Sequence, residues 1–244
     1  MGSEMCIRDS LVIPCYYESK RLPRFLLKLC ELVECSNLSI AIQLVDDGSS
    51  QDEQKALSDL SQKLNPQYPF LREPLLLEKN LGKGGAVRAG WRKGGDANIL
   101  AFVDADGAAS AEETIRFLGM IEESATQNRV FITSRDSGAG RDLQRKCSRK
   151  IVAKIFNQLI RIRYDIHLSD TQCGLKAIPK EFFQSTKGNM VQDGYAFDLE
   201  ILLTAKRHGL EVASIPIDWT EVPGSSTNLW HAWTFMKQIL FRKI

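Results

Sequence analysis

The 244-residue chain holds three histidines, six cysteines and no long apolar run. His167, His208 and His231 stand far apart, without H-E-x-x-H or other ligand spacing, which argues against a histidine-based metal centre. Cys6, Cys15, Cys30, Cys35, Cys147 and Cys173 contain no C-x-x-C pair, and no apolar secretory segment precedes them. Neither a zinc site nor a disulfide framework is suggested, and a reduced, cytosolic setting follows. No stretch of about 18 apolar residues is present, so no helix reads as bilayer-spanning and any membrane contact is peripheral. Charge of one sign is also lacking, with 32 Lys and Arg against 30 Asp and Glu. Bulk attraction to nucleic acid is thereby excluded, and any polyanion site must be local. With 8 Pro, 17 Gly and 43% hydrophobic residues, the chain is neither disordered nor collagen-like, and its length suits one α/β domain. Internal repeats and low-complexity linkers are absent.

Residues 1 to 10 show no periodicity and read as a non-native leader outside the fold. From residue 11 onward, short β-rich runs alternate with helical ones: LVIPCYY, 21 to 35, IAIQLVDDG, 51 to 64, FLREPLLLEK, 84 to 93 and NILAFVDAD. That alternation predicts βαβ units and a mostly parallel sheet flanked by helices. A helix over 111 to 125, a strand over 129 to 135 and a polar, Gly-rich loop at 137 to 140 come next. A long helix then carries Ile151, Ile155, Leu159 and Ile160 on one face. HLSDTQCGLKAI reads as a loop entering a short strand, 194 to 208 as a helix closed by Gly209, and EVASIPIDW as a last strand.

Two predicted strands end in acid, at Asp46-Asp47 and at Asp104-Ala105-Asp106. In open parallel sheets the ligand lies beyond the carboxyl ends of the strands, so these carboxylates should meet in one crevice. Asp104 and Asp106, at i and i+2, can reach one hard divalent cation bridging phosphates; a solvated acidic turn is the plainer alternative. Asp46 and Asp47 can accept hydrogen bonds from a base or ribose, or cap the helix that begins near Ser50 or Asp52. Asn80-Leu81-Gly82-Lys83-Gly84-Gly85-Ala86 fails the P-loop pattern, because Gly follows Lys83, and the dinucleotide fingerprint, because Val87 replaces Gly or Ala. It remains a glycine turn opening a helix, with one lysine for an anion.

The ordered series VIPCYYE (12 to 18), VDDGS (45 to 49), NLGKGGAVRAG (80 to 90), VDADG (103 to 107), SR (134 to 135), DTQCGLK (170 to 176), DGYAFDLEIL (193 to 202) and WTEVPGS (219 to 225) resembles inverting family 2 glycosyltransferases of GT-A fold. Within them it is most similar to the dolichyl-phosphate glucosyltransferase group, with polyprenyl-phosphate mannosyltransferases as cousins. The resemblance implies a GT-A domain over 11–226 that moves glucose with inversion from UDP-glucose to dolichyl or polyprenyl phosphate, with Mg²⁺ or Mn²⁺ as cofactor. GDP-mannose as donor, a saccharide acceptor, or a non-catalytic nucleotide-sugar binding protein are the alternatives.

By the same resemblance, Pro14, Tyr16, Glu18, Asp46, Asp47, Gly82 and Lys83 would line the nucleotide-sugar pocket, and Asp104 and Asp106 would hold the metal. Arg135 and Arg149 would meet phosphates, although Arg149 also lies in a basic stretch and can be a plain surface residue. Asp170, Gln172, Gly174 and Ser225 would form the acceptor side, with Asp170 orienting a lipid phosphate or serving as general base toward a hydroxyl. Three positions depart from the family pattern: Tyr17 where Asn is usual, Ala108 where mannosyltransferases place a metal-holding Gln, and Ser226 where a Lys commonly follows Gly-Ser. The segment 227–244 mixes Trp230, Trp233 and Phe241 with Lys237, Arg242 and Lys243, which suits a helix in a membrane interface or, alternatively, one packed on the domain. The location implied is the cytoplasmic face of a membrane, endoplasmic reticulum in a eukaryote or plasma membrane in a bacterium, with no nucleic-acid partner.

Overall fold

The computed structural model describes residues 9–123, 128–135, 143–144, 147–220 and 222, without the side chains of 123, 143–144 and 147–155. In chain order the elements are β1 (Asp9–Cys15), α1 (Leu22–Glu34), β2 (Ile40–Asp46), α2 (Gln51–Leu64), β3 (Leu75–Leu76), α3 (Lys83–Arg92), β4 (Ile99–Val103) and α4 (Ala111–Glu123). They continue with β5 (Arg129–Ser134), β6 (Leu143–Gln144), α5 (Cys147–Tyr164), β7 (Leu175–Pro179), α6 (Lys180–Thr186), α7 (Phe197–Arg207), β8 (Glu211–Pro216) and β9 (Trp219–Thr220).

Seven strands form one sheet in the order β3-β2-β1-β4-β7-β5-β8, and β6 pairs with β9. Strands β2 and β4 are buried along their whole length and β1 nearly so, as expected of strands covered on both faces. Strand alternation sorts their side chains into two cores. Leu11, Ile13, Ala101 and Val103 pack with Leu26 and Leu29 of α1 and Phe117 of α4, while Val12, Leu100 and Phe102 face Trp91 of α3, Ile160 of α5 and Phe197 of α7. Helix α1 presents Leu22, Phe25, Leu26, Leu29 and Val33 at helical spacing to the first core. A Cβ on Gly90 would stand 2.7 Å from both Val12 methyls, so the bare glycine is what lets α3 lie close on β1.

The sheet is parallel except at β7, which runs antiparallel to both β4 and β5. Its reversal matters for the site: Leu175, at the start of β7, pairs with Val103 at the end of β4. The DTQCG loop therefore enters the crevice at the strand ends from the opposite direction.

Four boundaries differ from the sequence reading. Strand β1 starts at Asp9 rather than residue 11, since Asp9 and Ser10 pair with β2 on one side and β4 on the other. FLREPLLLEK yields only β3 and an isolated bridge between Leu71 and Ile42, because Pro74 interrupts the run without an N–H to donate. Helix α7 begins at Phe197, after a turn in which the Phe197 N–H bonds the Gly194 carbonyl at 3.2 Å. Helix α6 went unread because its seven residues are too few to display a period.

Candidate active site

Strands β1, β2 and β4 end side by side and deliver Tyr16, Asp46, Asp47, Asp104 and Asp106 to one edge of the sheet. Pro14 lies past the last β1–β4 pair, Val12 with Phe102, so its missing N–H costs no bond on that side. Tyr16 and Tyr17 are about half exposed and meet edge to face, their ring centres 4.8 Å apart. Tyr17 has φ 54°, a left-handed conformation that suits Asn far better than an aromatic residue, and its N–H bonds Ser49 Oγ at 3.1 Å. Glu18 pairs with Arg21, Nε to Oε2 2.8 Å, and burial raises its pKa, with Asp106 and Asp104 adding to the rise.

Asp46 and Asp47 are buried and serve the backbone. Asp46 Oδ1 accepts the Ser49 N–H at 2.8 Å and the Gln54 amide at 3.0 Å, while Ser50 at the N-cap of α2 makes no side-chain cap. Asp47 Oδ1 accepts the Leu81 N–H at 2.7 Å, which fixes the start of the glycine turn; burial raises its pKa against the pull of that N–H. Both carboxylates thus brace the turns at Ser49 and Leu81.

In that turn Gly82 has φ 81°, and a Cβ there would sit 2.5 Å from the Asp193 carbonyl. Lys83, the first residue of α3, sends Nζ to Asp104 Oδ1 at 2.9 Å and to Asp198 Oδ2 at 3.2 Å. Burial opposes its charge, yet these two carboxylates hold its pKa above the ordinary lysine value. Asp198 is shared with Lys176, which is fully buried on β7 and also donates to the Cys173 carbonyl at 2.6 Å. Although burial works against ionisation of Asp198, the two lysines bring its pKa below normal. Asp104, Lys83, Asp198 and Lys176 form one chain of alternating charge beneath the strand ends.

Asp104 is the open end of that chain, its side chain 35% exposed. Burial raises its pKa and Lys83 opposes the rise, while Asp106 and Asp198 add to it. Asp106 turns Oδ1 to the Ala108 N–H at 3.0 Å. Gly174 packs directly on Asp104: its carbonyl accepts the Asp104 N–H at 2.9 Å, and a Cβ would overlap Oδ2 at 1.9 Å. Gly174 thus leaves no room for a side chain beside Asp104.

Arg135 follows β5 and grips Asp170 through Nε to Oδ2 at 2.5 Å and Nη2 to Oδ1 at 2.8 Å, its backbone N–H adding a third bond to Oδ2 at 3.1 Å. The Gln172 N–H takes Oδ1 at 3.1 Å, and the guanidinium lies over Trp219, 4.9 Å from the ring centre. Burial would push Asp170 up, but Arg135 and these N–H groups hold it down at about 2. With both oxygens engaged, the Asp170 carboxylate is a firm anchor for Arg135. The Gln172 side chain reaches no farther than the Thr171 carbonyl at 3.4 Å.

The side chain of Arg149, although Arg149 falls in α5, and all of Ser225 and 227–244 lie outside the described residues. Asp198 and Lys176 were missed by sequence reasoning. A lysine inside the apolar strand LKAIP and an aspartate inside a helix buried on nearly every side each require a partner, and that mismatch was the available signal.

A family profile described as Glycosyl transferase family 2 matches residues 10–186. The chain belongs to this family. As a family 2 member it is a glycosyltransferase, and its similarity extends to curated relatives. It is 32% identical over 235 residues to the dolichyl-phosphate beta-glucosyltransferase of Saccharomyces cerevisiae, covering 90% of this chain and 69% of that one. To a dolichyl-phosphate beta-glucosyltransferase of Trichomonas vaginalis it is 31% identical over 231 residues, covering 91% and 67%. Among solved structures, glucosyl-3-phosphoglycerate synthase from Mycobacterium tuberculosis, in complex with Mn²⁺, uridine diphosphate and phosphoglyceric acid, superposes with a TM-score of 0.70 at 14% identity, covering 96% of this chain and 76% of that one. The family 2 chain thus has the GT-A fold that the resemblance implied.

Proposed function

We propose that this family 2 enzyme transfers glucose, with inversion, from UDP-glucose to a dolichyl or related polyprenyl phosphate. The observation that carries the reading is the partly exposed Asp104 side chain close to Asp106, backed by Lys83 and by a bare Gly174, at the strand ends where a nucleotide sugar would lie. The relatives supply the chemistry: those from yeast and Trichomonas vaginalis are dolichyl-phosphate beta-glucosyltransferases, and the mycobacterial neighbour also occurs in complex with Mn²⁺, UDP-glucose and phosphoglyceric acid.

The site fits a divalent cation of oxygen-ligand type. Asp104 and Asp106 would contribute two carboxylates of the oxygen type that Mg²⁺ and Mn²⁺ prefer, although among the described residues no cluster of three or more His, Cys, Asp or Glu could hold a metal. When bound, the cation would supply electrostatic neutralisation of the leaving diphosphate.

The chain's own residues do the rest. Lys83, held charged between two carboxylates, would turn its ammonium toward the diphosphate as negative charge grows there. Arg135, braced by Asp170 and Trp219, would place the acceptor phosphate. An acceptor phosphate oxygen forms the new bond to the anomeric carbon while the bond to UDP breaks and its electron pair goes to the β-phosphate oxygen. A phosphate monoester whose second pKa is about 6 is already ionised at neutral pH, so no general base is needed and Asp170 is left to anchor Arg135. The segment 227–244 would rest on the cytoplasmic membrane surface near the lipid chain; among the described residues no helix is long and apolar enough to cross a membrane.

The test is transfer of labelled sugar in detergent, with UDP-glucose and GDP-mannose as competing donors and dolichyl phosphate or a free sugar as acceptor. Glucolipid from UDP-glucose alone supports the assignment. Donor hydrolysis without glycolipid overturns the lipid-phosphate acceptor, and mannolipid overturns the donor.

A further inference from the structure

The helix end that would ordinarily greet a phosphate is already occupied. First-turn N–H groups of a helix are natural anion ligands, yet those of Gly84 and Gly85 donate to the Asp193 carbonyl at 2.7 and 3.3 Å. A Cβ on Gly84 would lie 2.4 Å from the Gln192 carbonyl, so residues 192–193 are packed onto the glycine turn itself. Of the first turn of α3 this leaves Lys83 to meet a diphosphate, and whatever fixes 191–193 also fixes the turn that carries Lys83.

Two buried charged side chains grip that segment. Arg88, five residues after Lys83 on α3, donates Nη1 to the Gln192 carbonyl at 2.6 Å and pairs Nη2 with the Asp193 carboxylate. Glu200, two residues after Asp198 on α7, accepts the N–H of Val191 at 2.7 Å and of Gln192 at 3.1 Å. Arg88 is 6% and Glu200 3% exposed, they stand 3.9 Å apart, and the guanidinium covers Phe197 at 5.6 Å from its ring centre. Buried ion pairs add little net stability over apolar residues of the same volume, whereas they can impose one geometry. The same two helices carry the Lys83–Asp198 pair.

We propose that Arg88 and Glu200 are positioning residues for the nucleotide-sugar donor: by clasping 191–193 to the glycine turn they fix where Lys83 stands between Asp104 and Asp198, and so set affinity for the diphosphate. The inference rests on the donor reading above. Its test is calorimetric binding of UDP and a split of donor KM from kcat in Arg88→Lys and Glu200→Gln, beside thermal midpoints. Arg88→Lys, which retains charge but loses the fork, should weaken UDP binding and raise donor KM about tenfold, with kcat at saturating donor within about twofold. Glu200→Gln keeps one acceptor oxygen and the same shape, so it should fold and show a smaller shift of the same kind. Folded Arg88→Lys and Glu200→Gln proteins with unchanged UDP affinity, or with loss confined to kcat, would overturn the positioning role. Failure of the parent protein to bind UDP would instead overturn the donor reading.

Discussion

Lys83 meets Asp104 through one contact of 2.9 Å and leaves 35% of the Asp104 side chain in solvent, whereas Arg135 holds Asp170 at two atoms with 14% and 9% of the two side chains exposed. Both pairs flank the crevice at the strand ends, one beside β4 and the other beside β5. The first is a single ammonium contact that can be exchanged for another ligand, with Asp198 ready to keep the lysine in place. The second is a planar fork, closed further by backbone N–H groups and an aromatic lid, and it fixes a guanidinium. Under the proposed function, the contrast separates the carboxylate that would receive a cation from the one that would position Arg135.

Damage to the open pair should cost most. Gly174→Ala would drive a methyl into Asp104 Oδ2, 1.9 Å away, and is expected to lower transfer roughly a hundred- to a thousandfold, close to Asp104→Asn, the scale of losing one electrostatic group in an active site. Steady-state rates, with circular dichroism to confirm folding, check this. In the closed pair, Arg135→Lys should lose about ten- to a hundredfold, because an ammonium cannot reproduce the bidentate fork. Asp170→Asn should lower the rate while leaving the shape of the pH–rate profile unchanged; a displaced acidic limb would restore Asp170 to the role of base.

Acid should part the two pairs as well. Asp170 titrates at about 2 in the folded protein against ~3.9 for an unfolded aspartate, so its contribution to stability is complete above pH ~4 and disappears as the pH falls toward 2. Denaturant midpoints measured between pH 5 and 2 should therefore fall more steeply in the parent than in Asp170→Asn. The smallest effect lies at the pocket mouth. Tyr17→Asn should relieve the left-handed backbone at φ 54° and gain about 0.5–1 kcal/mol, read from thermal unfolding.

The sequence made the open pair legible, because Asp104, Asp106 and Lys83 sit in short motifs at strand and helix ends where turn chemistry and acid patterning show through. The strands β1, β2, β4 and β5 were equally plain, each carrying at least three apolar residues in succession. Partners contributed from buried faces were not: Lys176 pairs with Asp198 across 22 residues, and Arg88 meets Asp193 across 105, distances over which no local period carries information. The role of Gly174 was hidden for the same reason, since its need for a bare Cα comes from Asp104 on a neighbouring strand rather than from its own turn.

The central claim is that the Asp104–Asp106 end of this site works with a divalent cation while the Arg135–Asp170 end works without one. Glucolipid formation should be measured after chelation and during back-titration with Mn²⁺, in the parent, in Asp106→Ala and in Arg135→Lys. The account predicts no product under chelator, full recovery of the parent, no recovery of Asp106→Ala at any Mn²⁺ concentration, and for Arg135→Lys a lower plateau reached at the same Mn²⁺ midpoint. Transfer that persists under chelator, or an Asp106→Ala protein as active as the parent, would contradict it.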